Sequence, residues 1–316
     1  SANSVLDRFQ GKDAPVQRTL FEVFREHNDK CVQLSGTDMA PATVQRYETS
    51  LKHTRDFVWE TYHKKDVLLD EVSRQFIEDY EFWLKTEKKC CHNTATKYLK
   101  NFKKITRIAL AKGWMKNDPF LEIRFSLDKV EPDFLEDSEI QKLISKEIDI
   151  PRLSQVRDIF VFCCFTGLAF SDIHGLRKEH IVEDSNGVRW IRKGRQKTKI
   201  MCNIPLIEIP LKILEKYSTN EYCKKHGVLF PVLCNQKMNA YLKELADICG
   251  IKKTLTSHVG RHTFATFALA NGVSIESVAK MLGHTNVQMT RHYARVLDRT
   301  VIREMSQIKM DFHISI

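Results

Sequence analysis

The chain has 316 residues, 42% apolar and 28% charged, enough for two ordinary domains with cores of their own. Fifty Lys and Arg against 40 Asp and Glu leave a net charge of +10, which favours a polyanionic partner such as nucleic acid. No apolar run approaches the length of a membrane span, and the opening Ser1-Ala-Asn-Ser lacks the basic and apolar regions of a signal peptide.

Four helices are predicted in the first half. The first lies near Val16 to Gln33. The second starts around Pro41 and sets Val44, Tyr47, Leu51 and Val58 on one face. The third aligns Val72, Phe76, Tyr80, Trp83 and Leu84. The fourth, from about Asn93 to Lys112, buries Tyr98, Phe102, Ile105 and Ala109, while its other face carries Lys97, Lys100, Lys103, Lys104 and Arg107. Taken alone, such a face is a solvated one.

Residues 126–137 turn polar around Pro132 and read as a linker between a helical domain, 1–125, and a second domain, 138–316. The acidic residues of Leu135-Glu-Asp-Ser-Glu-Ile140 suit the first turn of a new helix. Ile181 to Glu183 and Val188 to Arg192 read as a hairpin around Asn186-Gly187, the strongest two-residue turn signal. A further strand runs from Ile200 to Ile204, after the cation-rich segment Lys193-Gly-Arg-Gln-Lys-Thr-Lys199. The fold class that follows is mainly α with a small antiparallel β-sheet. Nine cysteines without a C-x-x-C pair, several in apolar runs such as Val161-Phe-Cys-Cys-Phe165, point to reduced thiols and a cytoplasmic protein.

Three groups near the C-terminus carry the chemistry: His258-Val-Gly-Arg261-His262, Leu282-Gly283-His284, and Tyr293. They supply a guanidinium fork that can hold two phosphate oxygens, imidazoles that move protons, and a phenol nucleophile, a set that fits a phosphodiester centre. His258 and His262 stand one helical turn apart, as zinc ligands do. A zincin, however, needs Glu where Val259 stands, and no cysteine pair is near, so no metal is expected. His262 then reads as a packed structural histidine, and His292 as a neighbour of the tyrosine without a role.

The ordered set His258, Arg261, His284, Tyr293, with the text Leu282-Gly-His-Thr285 and Thr290-Arg-His-Tyr-Ala294, resembles the tyrosine recombinases, the phage- and transposon-type integrases. The resemblance implies a two-domain clamp around duplex DNA, with a helical SAM-like core-binding domain and a mixed α/β catalytic domain. It implies that Tyr293 attacks to give a 3′-phosphotyrosine and that Arg261 binds nonbridging oxygens. His284 would donate to one of those oxygens, and His258 would accept the tyrosine proton or donate to the phosphate. A lysine on the β-turn would protonate the leaving 5′ oxygen. Counting back from Pro205 selects Lys197 and counting forward from Trp190 selects Lys193; Lys197 is preferred, and Lys193 is left as a DNA contact. Beside this motif set, the basic face of the fourth helix becomes a phosphate-contacting one.

The sequence departs from the family at one place. Where the family has Thr-Gly-Leu-Arg, the chain reads Thr166-Gly-Leu-Ala169, so one of two expected guanidiniums is missing. This loss resembles the integrases of Bacteroidetes mobile elements. Arg195, on the same turn as Lys197, is the candidate substitute, ahead of Arg192 and Arg177. Asp172 matches the acidic residue that buttresses the site. The resemblance further implies neither ATP nor metal, no membrane, a monomer when free, and a homo-tetramer on DNA. The segment Thr300–Ile316, with Val301, Ile302, Met305 and Ile308 at helical spacing, would dock onto a neighbouring protomer; no arm-binding domain is expected before the first helix. A type IB topoisomerase, a catalytically silent DNA-binding regulator and a helical scaffold are the competing readings.

Overall fold

In the computed structural model, which describes residues 17–293 and 305–306, the chain divides into two compact units, Ser1–Val130 and Glu131–Ile316. Val16 and, apart from Met305 and Ser306, the segment Thr300–Ile316 lie outside the described residues.

The first unit is built from α1 (Leu20–Gln33), α2 (Pro41–Tyr62), α3 (Arg74–Thr86) and α4 (His92–Ala111). Proline at the first position starts α2 with its φ already helical. The Ser73 side chain caps α3 by accepting from the Phe76 N–H. The chain entering α1 is pinned where Thr19 pairs with Leu68 and the Leu20 N–H donates to Val67 O. Aromatic rings fill the core; Phe57 meets Phe76 edge-on with centroids 5.1 Å apart, and Phe102 meets Tyr80 at 5.7 Å.

The predicted faces are buried, with three adjustments. Val72 is buried but closes a 3-10 turn, Leu69–Glu71, instead of opening α3. Tyr98 is only half-buried beside the core. Tyr47 too is half-buried, because His27 packs on its ring at 4.7 Å and the Lys104 ammonium donates to its hydroxyl at 3.0 Å. After α4 the chain is strapped back: His92 Nε2 contacts Ser126 O, and the Asn93 side chain hydrogen-bonds both backbone groups of Asp128. Residues 126–128 are therefore fastened to the first unit.

The second unit begins with Leu135, whose buried N–H donates to Thr263 Oγ1. Its helices are α5 (Asp137–Ser145), α6 (Pro151–Thr166), α7 (Phe170–His174), α8 (Glu208–Tyr217), α9 (Glu221–His226) and α10 (Asn235–Ile248). They are followed by α11 (Ser257–Ala270), α12 (Ile275–Leu282) and α13 (Gln288–Arg291). From Asp158 onward α6 is buried on every side, as an all-apolar helix must be. α11 lies close along it because Gly260 has no side chain; a Cβ there would sit 3.2 Å from Cys163 Cβ and 3.3 Å from the Phe160 ring. All nine cysteines are free, and burial pushes the Cys163 thiol up to about 12.

The sheet has the order β1 (Ile181–Glu183), β2 (Arg189–Gly194), β3 (Met201–Pro205), antiparallel throughout. Ile191 is the hinge of the register, opposite Ile181 on one side and Ile204 on the other, and it is fully buried. The β1–β2 connection is longer than the predicted two-residue turn. Asp184 accepts from Gly187 N–H through its carbonyl and from Asn186 and Val188 N–H through its carboxylate. Only Gly187 has a positive φ, which makes this a type I turn closed by a left-handed glycine. The Asp184 carboxylate, missed as a turn former, also accepts from Trp190 Nε1.

Gly167 ends α6 in the left-handed conformation, φ 68°. A Cβ there would lie 2.4 Å from the Phe264 ring and 2.7 Å from Leu282 Cδ2. Backbone strain and overpacking act together, so Gly167→Ala is expected to cost about 2–4 kcal/mol. Calorimetry should show a fall in melting temperature of roughly 5–10 °C for the unit.

Candidate active site

α11 presents His258, Arg261 and His262 at i, i+3 and i+4, so all three share one side of the helix. The His258 and His262 rings stack with centroids 5.8 Å apart. Arg261 points into the unit and is 3% exposed. Its Nη1 donates to Gly167 O at 2.7 Å and its Nη2 to Leu282 O at 2.6 Å. Both acceptors are carbonyls at the C-terminal ends of helices, α6 and α12, where backbone oxygens lack intrahelical partners and the dipole is negative. Burial, reinforced by the charge of Arg195, holds the Arg261 pKa at about 10, still cationic at neutral pH.

Gly283 terminates α12 with φ 60° and releases His284. A Cβ at Gly283 would meet Cys202 Sγ at 2.7 Å and Arg195 Cδ at 2.8 Å, so glycine here lets β3 and its turn close on the helix end. His284 Nε2 lies 3.1 Å from Arg261 Nη2, and Nδ1 lies 2.8 Å from Thr290 Oγ1. A guanidinium only donates, so Nε2 accepts and Nδ1–H donates to the threonine. Burial first, then the Arg261 and Arg195 charges, hold the His284 pKa at about 4. Without DNA, His284 is thus a neutral acceptor, whereas the sequence resemblance implies a donor. Thr290, fully buried, fixes this tautomer, and no sequence signal singled it out.

Tyr293 follows α13. Its ring stands 5.2 Å from His262 and 6.2 Å from His284, and the Arg261 guanidinium lies near enough for its charge to act on the phenol. Burial raises the phenol pKa, while the Arg261 and Arg195 guanidiniums oppose the rise. His262 is therefore a neighbour of the tyrosine as well as a packed residue; its spacing from His258 was visible in the sequence, its contact with Tyr293 was not.

Ala169 is buried at the start of α7 and carries no charge. The turn between β2 and β3 supplies one instead. It is closed by Arg195 N–H to Ile200 O and Lys199 N–H to Arg195 O, both 2.8 Å, with Lys199 itself left-handed at φ 59°. Asp172 on α7, 1% exposed, accepts from the Gln196 N–H at 2.9 Å and faces Arg195 Nε at 3.4 Å. The Arg195 side chain is almost fully buried, and its charge is felt by Arg261, His258, His284 and Tyr293. Arg192 acts on Asp184 in the other turn, and Arg177 on His180 and Lys193, so neither joins this group.

Lys197 is exposed on the turn, with its charge felt by His258. Lys193 lies one step inside β2. Its Nζ donates to Gly175 O at 2.7 Å, lies 3.4 Å from His180 Nε2, and is held below the usual lysine range by burial. That ammonium is committed within the unit, which sets it apart from Lys197. Among the described residues no group of three or more His, Cys, Asp or Glu is placed to hold a metal ion.

In the first unit Lys97, Lys100, Lys104 and Arg107 are exposed and Lys103 half-buried, all within one face of α4. Lys100 and Lys103 lie over the Phe125 ring at 5.7 and 5.4 Å, which orders their stems while leaving charge at the surface.

Comparison with known proteins agrees with both halves. A sequence model described as the phage integrase SAM-like domain matches residues 19–129, and that of the phage integrase family matches 133–300. A tyrosine recombinase of Pseudothermotoga lettingae is 29% identical over 265 residues, 81% of this chain and 88% of that protein. Among solved structures, a lambda integrase tetramer bound to a Holliday junction superposes with TM-score 0.69 at 17% identity, covering 94% of this chain and 87% of that one. The Tn1549 transposon integrase in complex with a circular intermediate DNA gives TM-score 0.68 at 16% identity, covering 92% and 99%.

Proposed function

The chain belongs to the phage integrase family, and from that premise we propose that it is a site-specific recombinase of a mobile element, cutting and rejoining DNA through a 3′-phosphotyrosine. The observation that carries this is the placement of Tyr293 against the rings of His262 and His284, with Arg261 bonded to His284 and Arg195 buried against Asp172 close by. Two buried cations around one phenol form a site for a phosphate, where charge develops in the transition state.

Tyr293 Oη attacks the scissile phosphorus and the bond to the 5′ oxygen breaks, with Lys197 giving its proton to that oxygen. Arg261 and Arg195 hold the nonbridging oxygens, Arg195 standing in for the arginine absent at 169. When the phosphate takes over Arg261, His284 Nε2 loses its donor; the phosphate's negative charge raises the ring's pKa, so Nε2 takes a proton from solvent before attack and donates it to the phosphate, leaving it no acceptor for the tyrosine proton. The phosphoester is conserved in the phosphotyrosine, so the 5′ hydroxyl reverses the step without ATP or metal. DNA is the partner, and a tetramer on DNA is the assembly proposed, in line with the lambda integrase complex. The Ala169 replacement left a silent regulator open; no observation at the site favours it.

Covalent trapping on a nicked suicide substrate bearing the element's end sequences tests this reading: an adduct supports it, and none on DNA that the protein binds would refute it. The α4 face is proposed to contact phosphates. The triple variant Lys97→Ala, Lys100→Ala, Lys104→Ala should bind every sequence more weakly and flatten the plot of log affinity against log salt by about 2–3 units. Fluorescence anisotropy across a salt series reads this, and an unchanged slope would remove α4 from the interface.

A further inference from the structure

Two imidazole rings rest against the Tyr293 phenol, those of His284 and His262. Arg261 is near, but a guanidinium only donates, so the phenol hydrogen must find an acceptor elsewhere. His284 offers none: Nε2 is occupied by the Arg261 donor and Nδ1 carries its proton toward Thr290. The remaining ring is His262. Its Nδ1 is shut off from solvent and, among the described residues, has no hydrogen-bond partner. A buried polar nitrogen left without a partner costs about 1–3 kcal/mol, an expense that a phenylalanine of similar shape would avoid. The ring that carries it packs against the Tyr293 ring, which gives that nitrogen a use.

We propose that His262 is the proton acceptor for Tyr293, an inference that rests on the reading of Tyr293 as nucleophile. In the forward step the Tyr293 O–H bond breaks as the O–P bond forms, and the proton passes to His262 Nδ1. In the rejoining step the same nitrogen returns it to the departing phenolate. His258 stacks on His262 with centroids 5.8 Å apart and holds that ring in place. Burial, with His258 and Arg261 adding to it, holds the His262 pKa at about 4, so the ring is neutral and ready to accept at physiological pH. Centroids 5.2 Å apart leave the two atoms to close to hydrogen-bond distance once the phosphate is bound, as is usual for a site without substrate.

The test is single-turnover cleavage of a nicked suicide substrate at pH 6 to 10, comparing wild type, His262→Phe, His262→Asn and His258→Phe. His262→Phe keeps the ring contact and should bind DNA like wild type, yet cleave about 10²- to 10⁴-fold more slowly at neutral pH. That deficit should shrink as pH rises, because hydroxide removes the phenol proton when the imidazole is gone; His262→Asn should show the same trend. Wild-type cleavage by His262→Phe, or a deficit equal at every pH, would reduce His262 to packing. A deficit recovered by high pH in His258→Phe but not in His262→Phe would transfer the role to His258. An adduct persisting in Tyr293→Phe would overturn the nucleophile assignment itself, a failure distinct from these.

Discussion

Tyr293→Phe is expected to bind DNA with wild-type affinity and to form no covalent adduct, a loss of roughly 10⁴-fold or more in cleavage rate. The substitution removes one oxygen and nothing else that the site uses for shape. The ring contacts with His262 and His284 survive, and the half-buried aromatic stays packed against α11 and α12. The oxygen removed is the only phenol in this cluster of two guanidiniums and three imidazoles. Burial raises its pKa, so at neutral pH it is protonated and needs an acceptor; the two arginines limit that rise. Gel-resolved adduct formation on nicked DNA, together with a binding isotherm, separates nucleophile from scaffold. An adduct of normal yield in the variant would move the attack to another residue.

Arg195→Ala should slow cleavage by about 10²–10³-fold, the cost of deleting one preorganised donor from a developing oxyanion. The argument rests on where α7 begins. Ala169 brings no charge to the phosphate side, and the β2–β3 turn inserts a buried guanidinium against Asp172 in the same region. Asp172 keeps its Gln196 N–H partner in the variant, so the turn remains anchored while its charge is lost. Arg195→Lys should recover part of the rate, since a point charge replaces the fork without its two-point grip. Rates measured beside melting curves and DNA affinity decide the matter: normal cleavage by Arg195→Ala in a folded, DNA-binding protein would hand the role to another cation.

The residues of α11 were legible because their spacing is local: three positions within one helical turn need only a helix to meet. The helices of the first unit were legible for the same reason, as Phe76, Tyr80 and Trp83 show. What escaped was set by long-range backbone partners. Arg261 is held by carbonyls 94 and 21 positions away, and such acceptors have no side-chain identity to read. Thr290 fixing the His284 tautomer is equally invisible in composition. The β1–β2 connection was misjudged because Asn186-Gly187 outweighed Asp184, whose carboxylate reorganises the turn. Lys193 and Lys197 could not be told apart by counting, since strand length decides which ammonium faces inward, and β2 continues two residues past the predicted end at Arg192.

The way Arg261 is seated affects which inactive protein is worth making. Its guanidinium bolts the ends of α6 and α12 together through Gly167 O and Leu282 O, so it is a strut before any DNA arrives. Removing it would leave two helix ends without their donor as well as a phosphate without its clamp, and the two losses would be confounded in any activity screen. For trapping an assembled complex by crystallography or cryo-microscopy, the phenol is the safer deletion, because it takes away the reagent and leaves the joinery intact.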